Sequence, residues 1–228
     1  MQISSIDLEH RAEAARYALL RRLAPAMRHD MAGGFQPVMM LATIVEKRLL
    51  CATPDFPTLV KNSNEMRTLA IAATHSSLDL MGWLAFDTGA RMGLGQGISE
   101  AIHLLATELS FRGFKFVNHT ENVDTEVRRD HLRGAFVVAL LALTDEAVLP
   151  ANIGITADRD GQDMLVTISL TDAGATLGDI TPNEEFNIAR AAYRKIDWDD
   201  VQAIADIDGL TVKHEAASVL LRLLIPAL

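Results

Sequence analysis

From Ile6 to Leu50 the apolar residues Leu20, Leu23, Met27, Met31, Gly34, Val38, Leu41 and Val45 follow one another mostly in steps of three and four. That spacing predicts one long helix with a stripe fit to pack lengthwise on a partner. Arg16, Arg21, Arg22, Arg28 and Glu46 lie off the stripe, and Ala52–Pro57, with two prolines and Asp55, stops the helix. A second helix follows from about Pro57 to Phe86, with Leu59, Met66, Leu69, Ala73, Leu80 and Leu84 as its apolar positions. Two helices joined by a short turn form an antiparallel hairpin. Alone it keeps apolar surface on its flanks, so a second copy completing a four-helix bundle is expected.

Asp87–Gly97 carries Gly89, Gly93, Gly95 and Gly97 and reads as a flexible linker. Beyond it the periods change. Ile98–Phe111 reads as a helix, Phe114–Thr120 as a strand and Val127–Ala147 as a strongly apolar helix. Ala151–Ala157 and Met164–Leu170 alternate around Asp160-Gly161, a hairpin signal. Glu184–Ile207 reads as mainly helical, and Gly209–Val212 and Ser218–Ile225 as closing strands. The expected fold is α+β: a helical hairpin over residues 1–90, then a domain over 98–228 with one mixed sheet and helices on a single face.

Composition narrows the function. The 228 residues are 49% hydrophobic and 22% charged, enough for a sizeable core. With 21 Lys plus Arg against 30 Asp plus Glu, the net charge of −9 argues against a nucleic-acid partner. The single cysteine, Cys51, excludes an internal disulfide or a cysteine-rich zinc site. No apolar run approaches the ~20 residues that span a bilayer, and residues 1–11 lack a signal-peptide core, so a cytoplasmic protein is expected.

His29 is the leading chemical candidate. It follows the seam residue Met27 by two positions, about 200° around the helix, and should face water. Arg28 and Asp30 flank it, and Gly33 and Gly34 lie one turn on, with Pro37 nearby. Each glycine costs about 1 kcal/mol in a helix relative to alanine, so a bare, softened helix here suits the close approach of another surface. A neutral imidazole with a carboxylate on one nitrogen is a nucleophile for a phosphoryl group. An ordinary surface histidine is the alternative. The remaining histidines, His10, His75, His103, His119, His131 and His214, show no paired metal-ligand spacing, and no metal or cofactor is expected on this chain. Asp197, Asp199 and Asp200 around Trp198 read as helix capping.

Arg28-His29-Asp30-Met31 on the first helix of a hairpin resembles the phosphoacceptor box of bacterial sensor histidine kinases. The order of later elements resembles their ATP-binding domain. Asp172-Ala173-Gly174-Ala175 is similar to the first glycine box, and residues 201–209 with the strand ending Leu224-Ile225-Pro226 are similar to the last helix and strand. Where that family places magnesium-binding asparagines, Arg133–Ala147 offers Ala135, Phe136, Val137, Val138, Ala139, Leu140 and Leu141. Apolar side chains cannot hold a hard cation. A second glycine box is missing between Ala175 and Val201, where Gly178 is the only glycine.

A retained phosphoacceptor with a degenerate ATP-binding domain resembles the histidine phosphotransferases built on a histidine-kinase scaffold. The resemblance implies a homodimer in two-component signalling, with His29 passing a phosphoryl group between receiver-domain aspartates and Asp30 orienting the imidazole. Arg22, Arg28, Gly33 and Gly34 would form the partner-binding surface, and any Mg2+ would belong to the receiver. Gly33 stands four residues after His29, where many such kinases carry a Thr or Asn for dephosphorylation, which argues against phosphatase activity. The rival readings are a non-catalytic scaffold that binds a response regulator and an atypical ATP-dependent histidine kinase.

Overall fold

The structure, a computed structural model, describes residues 5–84, 89–147, 151–172 and 193–225. Ala173–Ala175 of the glycine-box resemblance, Gly178, the first part of the expected helix from Glu184, and Pro226 lie outside them. Helix α1 (Ser5–Leu49) and helix α2 (Phe56–Met81) form the expected hairpin. Asp55 caps α2: its carboxylate accepts from the Thr58 backbone N–H (3.4 Å) and hydroxyl (2.5 Å), and Pro57 sits in the first turn. Those bonds hold the Asp55 carboxyl below its ordinary value.

The chain divides into two units, residues 24–86 and residues 1–23 with 87–228. The break at residues 86–87 falls close to the expected end of the hairpin at residue 90, but residues 1–23, with the N-terminal half of α1, group with the α/β elements and not with the hairpin. The physical cause is the seam Ala12, Ala15, Ala18, Leu19 and Leu23, 0–8% exposed, whose small side chains allow close packing. Arg11, Arg16 and Arg22 on the same stretch are paired with carboxylates of the α/β elements.

In the hairpin unit Met27 faces inward with Leu59, Ala73 and Leu80, as the three-and-four stripe requires. Gly34 lies against α2, where a Cβ would stand 3.6 Å from that of Ala73. Each helix carries a second stripe at the same spacing. On α2 it runs Val60, Asn64, Arg67, Ile71, Thr74, Leu78 and Met81, all exposed; on α1 it runs Phe35, Met39, Ala42, Glu46 and Leu49, also exposed.

In the other unit, strand β1 (Arg91–Gly93) leads into helix α3 (Leu94–Phe111), followed by strands β2 (Lys115–Asn118) and β3 (Glu126–Arg128). A single π-helical turn over His131–Phe136 runs into helix α4 (Val137–Glu146). Strands β4 (Ala151–Asp160) and β5 (Asp163–Asp172), helix α5 (Trp198–Asp208), and strands β6 (Thr211–Glu215) and β7 (Ser218–Leu224) complete the unit. Five strands form one sheet in the order β2-β4-β5-β7-β6, with only the β2–β4 pair parallel. Gly161, at φ 64°, supplies the left-handed residue of the β4–β5 turn. Ile153 and Ile155 on β4, Val166 and Ile168 on β5, and Val219 and Leu221 on β7 share one buried face, so the expected single covered face is observed.

Two expectations are corrected. Val127 does not begin a helix: β3 pairs antiparallel with β1 in a small ribbon, and Val127 is fully buried in it. The glycine run is not a linker, because β1 and the first turn of α3 occupy Arg91–Gly97. A Cβ at Gly95 would collide with the Thr120 carbonyl oxygen and stand 3.1 and 3.2 Å from those of Glu121 and Val123. One at Gly97 would meet the tips of Leu132 and Met92, which are more able to yield. Gly95→Ala is expected to cost about 1–3 kcal/mol of stability by overpacking against backbone, and Gly97→Ala less; chemical denaturation of both variants checks the order.

Candidate functional site

His29 stands where the helical spacing puts it. Its side chain is 87% exposed, and Nδ1 lies 3.5 Å from Oδ1 of Asp30, whose side chain is 24% exposed. At 100° per residue, the inward stripe of α1 centres about 155° from His29 and the second, exposed stripe about 115° from it on the other side. The imidazole therefore lies on a third flank, clear of both apolar stripes. In the tautomer that carries its proton on Nδ1, toward Asp30, the Nε2 lone pair would face solvent, the arrangement a nucleophile needs.

The neighbours divide. Arg28 is exposed. Gly33 faces open space, with nothing within 4 Å of a Cβ built there. Gly34 is turned toward α2 and is withdrawn from the partner-facing set, since its position belongs to the inward stripe. Arg22 is corrected more sharply. Its guanidinium is buried and pairs with both oxygens of Asp145 and with Oε1 of Glu108, at 2.6 Å for the latter. These carboxylates hold its pKa above the ordinary value against the cost of burial. Arg112 completes a four-charge network, with Nη1 at 3.0 Å from Asp145 Oδ1 and the guanidinium over the Phe114 ring. Arg22 is a structural residue.

The α/β unit offers little to a nucleotide in the described residues. Val137–Leu143 of α4 are 0–1% exposed all round. The Thr144 hydroxyl donates to the Leu140 carbonyl at 2.9 Å, and Asp145 is held by Arg22 and Arg112. At the start of α3 the amides of Leu94 and Gly95 donate to the carbonyls of Thr125 and Val123, so these two donors are unavailable to a phosphate. Asp197 and Asp200 form the expected capping box on α5, at 2.9 and 3.2 Å. Among the described residues no three His, Cys, Asp or Glu side chains gather as a metal site.

Sequence reading missed a second polar cluster. His131, fully buried at the start of the π-helical turn, has Nε2 4.0 Å from Asp130 Oδ1, and neither ring nitrogen has a hydrogen-bond partner among the described residues. Asp130 accepts from the His131 amide and pairs with Arg128, and Asp208 pairs with Arg16 at 2.7 Å. The available signal was the Arg-Arg-Asp-His run at residues 128–131, inside the stretch expected to be one apolar helix.

No family model and no curated protein matches the chain. Solved structures resemble it at low identity. The histidine kinase AdeS of Acinetobacter baumannii is 13% identical over 82% of this chain and 96% of its own, with a TM-score of 0.42. A bacterial phosphotransferase is 11% identical over 98% of both chains, with a TM-score of 0.38. The histidine kinase ThkA, solved in complex with the response regulator TrrA, is 12% identical over 98% of this chain and 67% of its own, at 0.40. In the described residues no helix is long and apolar enough to cross a membrane.

Proposed function

We propose that this protein is a homodimeric histidine phosphotransferase of two-component signalling that acts in the cytoplasm. His29 takes a phosphoryl group from one receiver-domain aspartate and gives it to another. The observation that carries this reading is the position of the His29 ring: solvent-exposed, clear of both apolar stripes and beside a carboxylate. Nε2 attacks phosphorus, the N–P bond forms, the P–O bond to the donor aspartate breaks, and the carboxylate leaves with the bonding pair. Asp30 stabilises the charge that develops on the imidazole. Return to a second receiver reverses each step. Phosphoryl transfer needs mainly alignment and charge compensation, which the receiver's Mg2+ and the exposed Arg28 would supply. Incubation with a phosphorylated receiver tests it: label must reach the wild-type chain and must not reach His29→Ala.

A nucleotide is not part of this reading. The end of α4 has its polar groups engaged within the fold, so calorimetry should detect no Mg2+-dependent ATP binding. Tight receiver binding without label transfer would instead identify a scaffold.

The second stripes on α1 and α2 support the dimer. Met39, Val60, Ile71, Leu78 and Met81 are each at least 52% exposed at helical spacing, apolar side chains that a facing helix could cover. Ile71→Glu with Leu78→Glu is expected to halve the mass measured by light scattering, whereas the wild type should run as two chains.

A further inference from the structure

At the closed end of the hairpin the chain turns between α1 and α2. Leu50 lies beyond Leu49, the last stripe residue of α1, and is 81% exposed, more than any other large apolar residue described. Phe56 opens α2 ahead of its first stripe residue, Val60, and is 65% exposed. Cys51, Ala52 and Thr53 between them are exposed too. Lys47 and Arg48 in the last turn of α1, and Lys61 in the second turn of α2, are all exposed. The acids of this stretch are Glu46, on the second stripe, and Asp55, whose carboxylate accepts from the Thr58 amide and hydroxyl. The chain's acidity lies elsewhere. Residues 24–86 carry five basic and five acidic side chains, so the net charge of −9 belongs to the remainder.

We propose that the closed end of the hairpin is a contact for an anionic lipid surface. Leu50 and Phe56 enter the boundary between tails and headgroups, and Lys47, Arg48 and Lys61 meet the negative headgroups. The contact is peripheral and reversible, as befits two apolar side chains and three cations.

Three features favour a bilayer over a folded partner. The first is size. A stable protein contact takes about 20–30 residues from each side, whereas the turn offers only residues 47–61, with Leu59 among them buried against α1. A soft surface needs no matching concavity. The second is the pairing of long basic side chains with exposed apolar ones, since Lys and Arg can lay their stems on apolar surface and keep their charge in water. The third is the low cost of leaving water. The amides of Leu50 and Cys51 donate to the carbonyls of Glu46 and Arg48, and the Cys51 thiol donates to that of Lys47. An anionic surface also repels the acidic remainder of the chain, which selects the neutral hairpin as the part that approaches.

Flotation of the full chain with vesicles of phosphatidylcholine and phosphatidylserine in equal parts tests the proposal. The wild type is expected to float with them and to bind pure phosphatidylcholine about tenfold less. Leu50→Ser and Phe56→Ser are each expected to weaken binding about tenfold. Exchanging Lys47, Arg48 and Lys61 together for Gln is expected to cost about as much and to remove the salt dependence of binding. All five side chains are exposed, so these variants are expected to keep the fold, and light scattering follows their mass. A wild type that stays with the soluble fraction would overturn the proposal. So would equal binding by the wild type and both serine variants, or equal binding to the two kinds of vesicle. A halved mass for the serine variants would also overturn it, because the end of the hairpin would then belong to the contact with a second copy.

Discussion

Replacing Arg22 by alanine is expected to destabilise the protein by about 3–5 kcal/mol, the range for breaking a buried ion pair by removing one partner. The magnitude rests on what stays behind. Asp145, with a side chain 3% exposed, and Glu108, 19% exposed, would both lose this guanidinium and keep their charges beside Arg112. Arg22→Lys should recover only part of the loss, because an ammonium cannot repeat the fork that spans both Asp145 oxygens. Replacing Arg22, Glu108 and Asp145 together with apolar residues of similar volume should cost much less than the single alanine, since it removes the desolvated charges along with their partner. Denaturant titration of the three variants checks the order. If Arg22→Ala were neutral, the guanidinium would be free to serve the His29 surface after all.

The second large effect concerns chemistry rather than stability. His29→Ala should lower label transfer from a phosphorylated receiver below roughly one-thousandth of wild type, as expected when the attacking group is removed. Its stability should stay within about 0.5 kcal/mol of wild type, because an 87%-exposed ring contributes little packing. Asp30→Asn should slow transfer about tenfold while leaving receiver affinity in place, the effect of weakening one charge-assisted contact to the ring. Rapid-quench measurement of the phosphorylated chain separates the two variants. Equal transfer by wild type and His29→Ala would remove His29 from the mechanism altogether.

Much of the architecture was legible because it depends on period. The stripe through Met27, Gly34 and Val45 fixed the inward face of α1, and the same wheel placed His29 on the wet flank where it stands. Asp160-Gly161 marked the β4–β5 turn, and Asp197 with Asp200 marked the start of α5. What escaped has no period to read. The ribbon strands β1 and β3 are three residues each, and Gly95 and Gly97 looked like slack chain until the Thr120 carbonyl and the Leu132 side chain stood against them. Arg22 falls one heptad from His29 on the same helical face, so its sequence position suggested a shared task. Only the distant carboxylates Glu108 and Asp145 show otherwise, and no local pattern announces a partner 86 or 123 residues away. Gly34 likewise belongs to the stripe by spacing, yet bareness rather than direction drew attention to it.

The return of the chain to its own beginning bears on biosynthesis. Arg11 and Arg16 find their carboxylates 186 and 192 residues downstream, on a helix that leaves the ribosome near the end of translation. Residues 24–86 form a unit of their own, so the proposed pairing with a second copy would not have to wait for residues 197–208 to be made. If the proposed dimer forms through the hairpin, nascent chains halted before residue 197 should already associate, while Arg11 and Arg16 still lack these carboxylates and the stretch around them stays open to proteases.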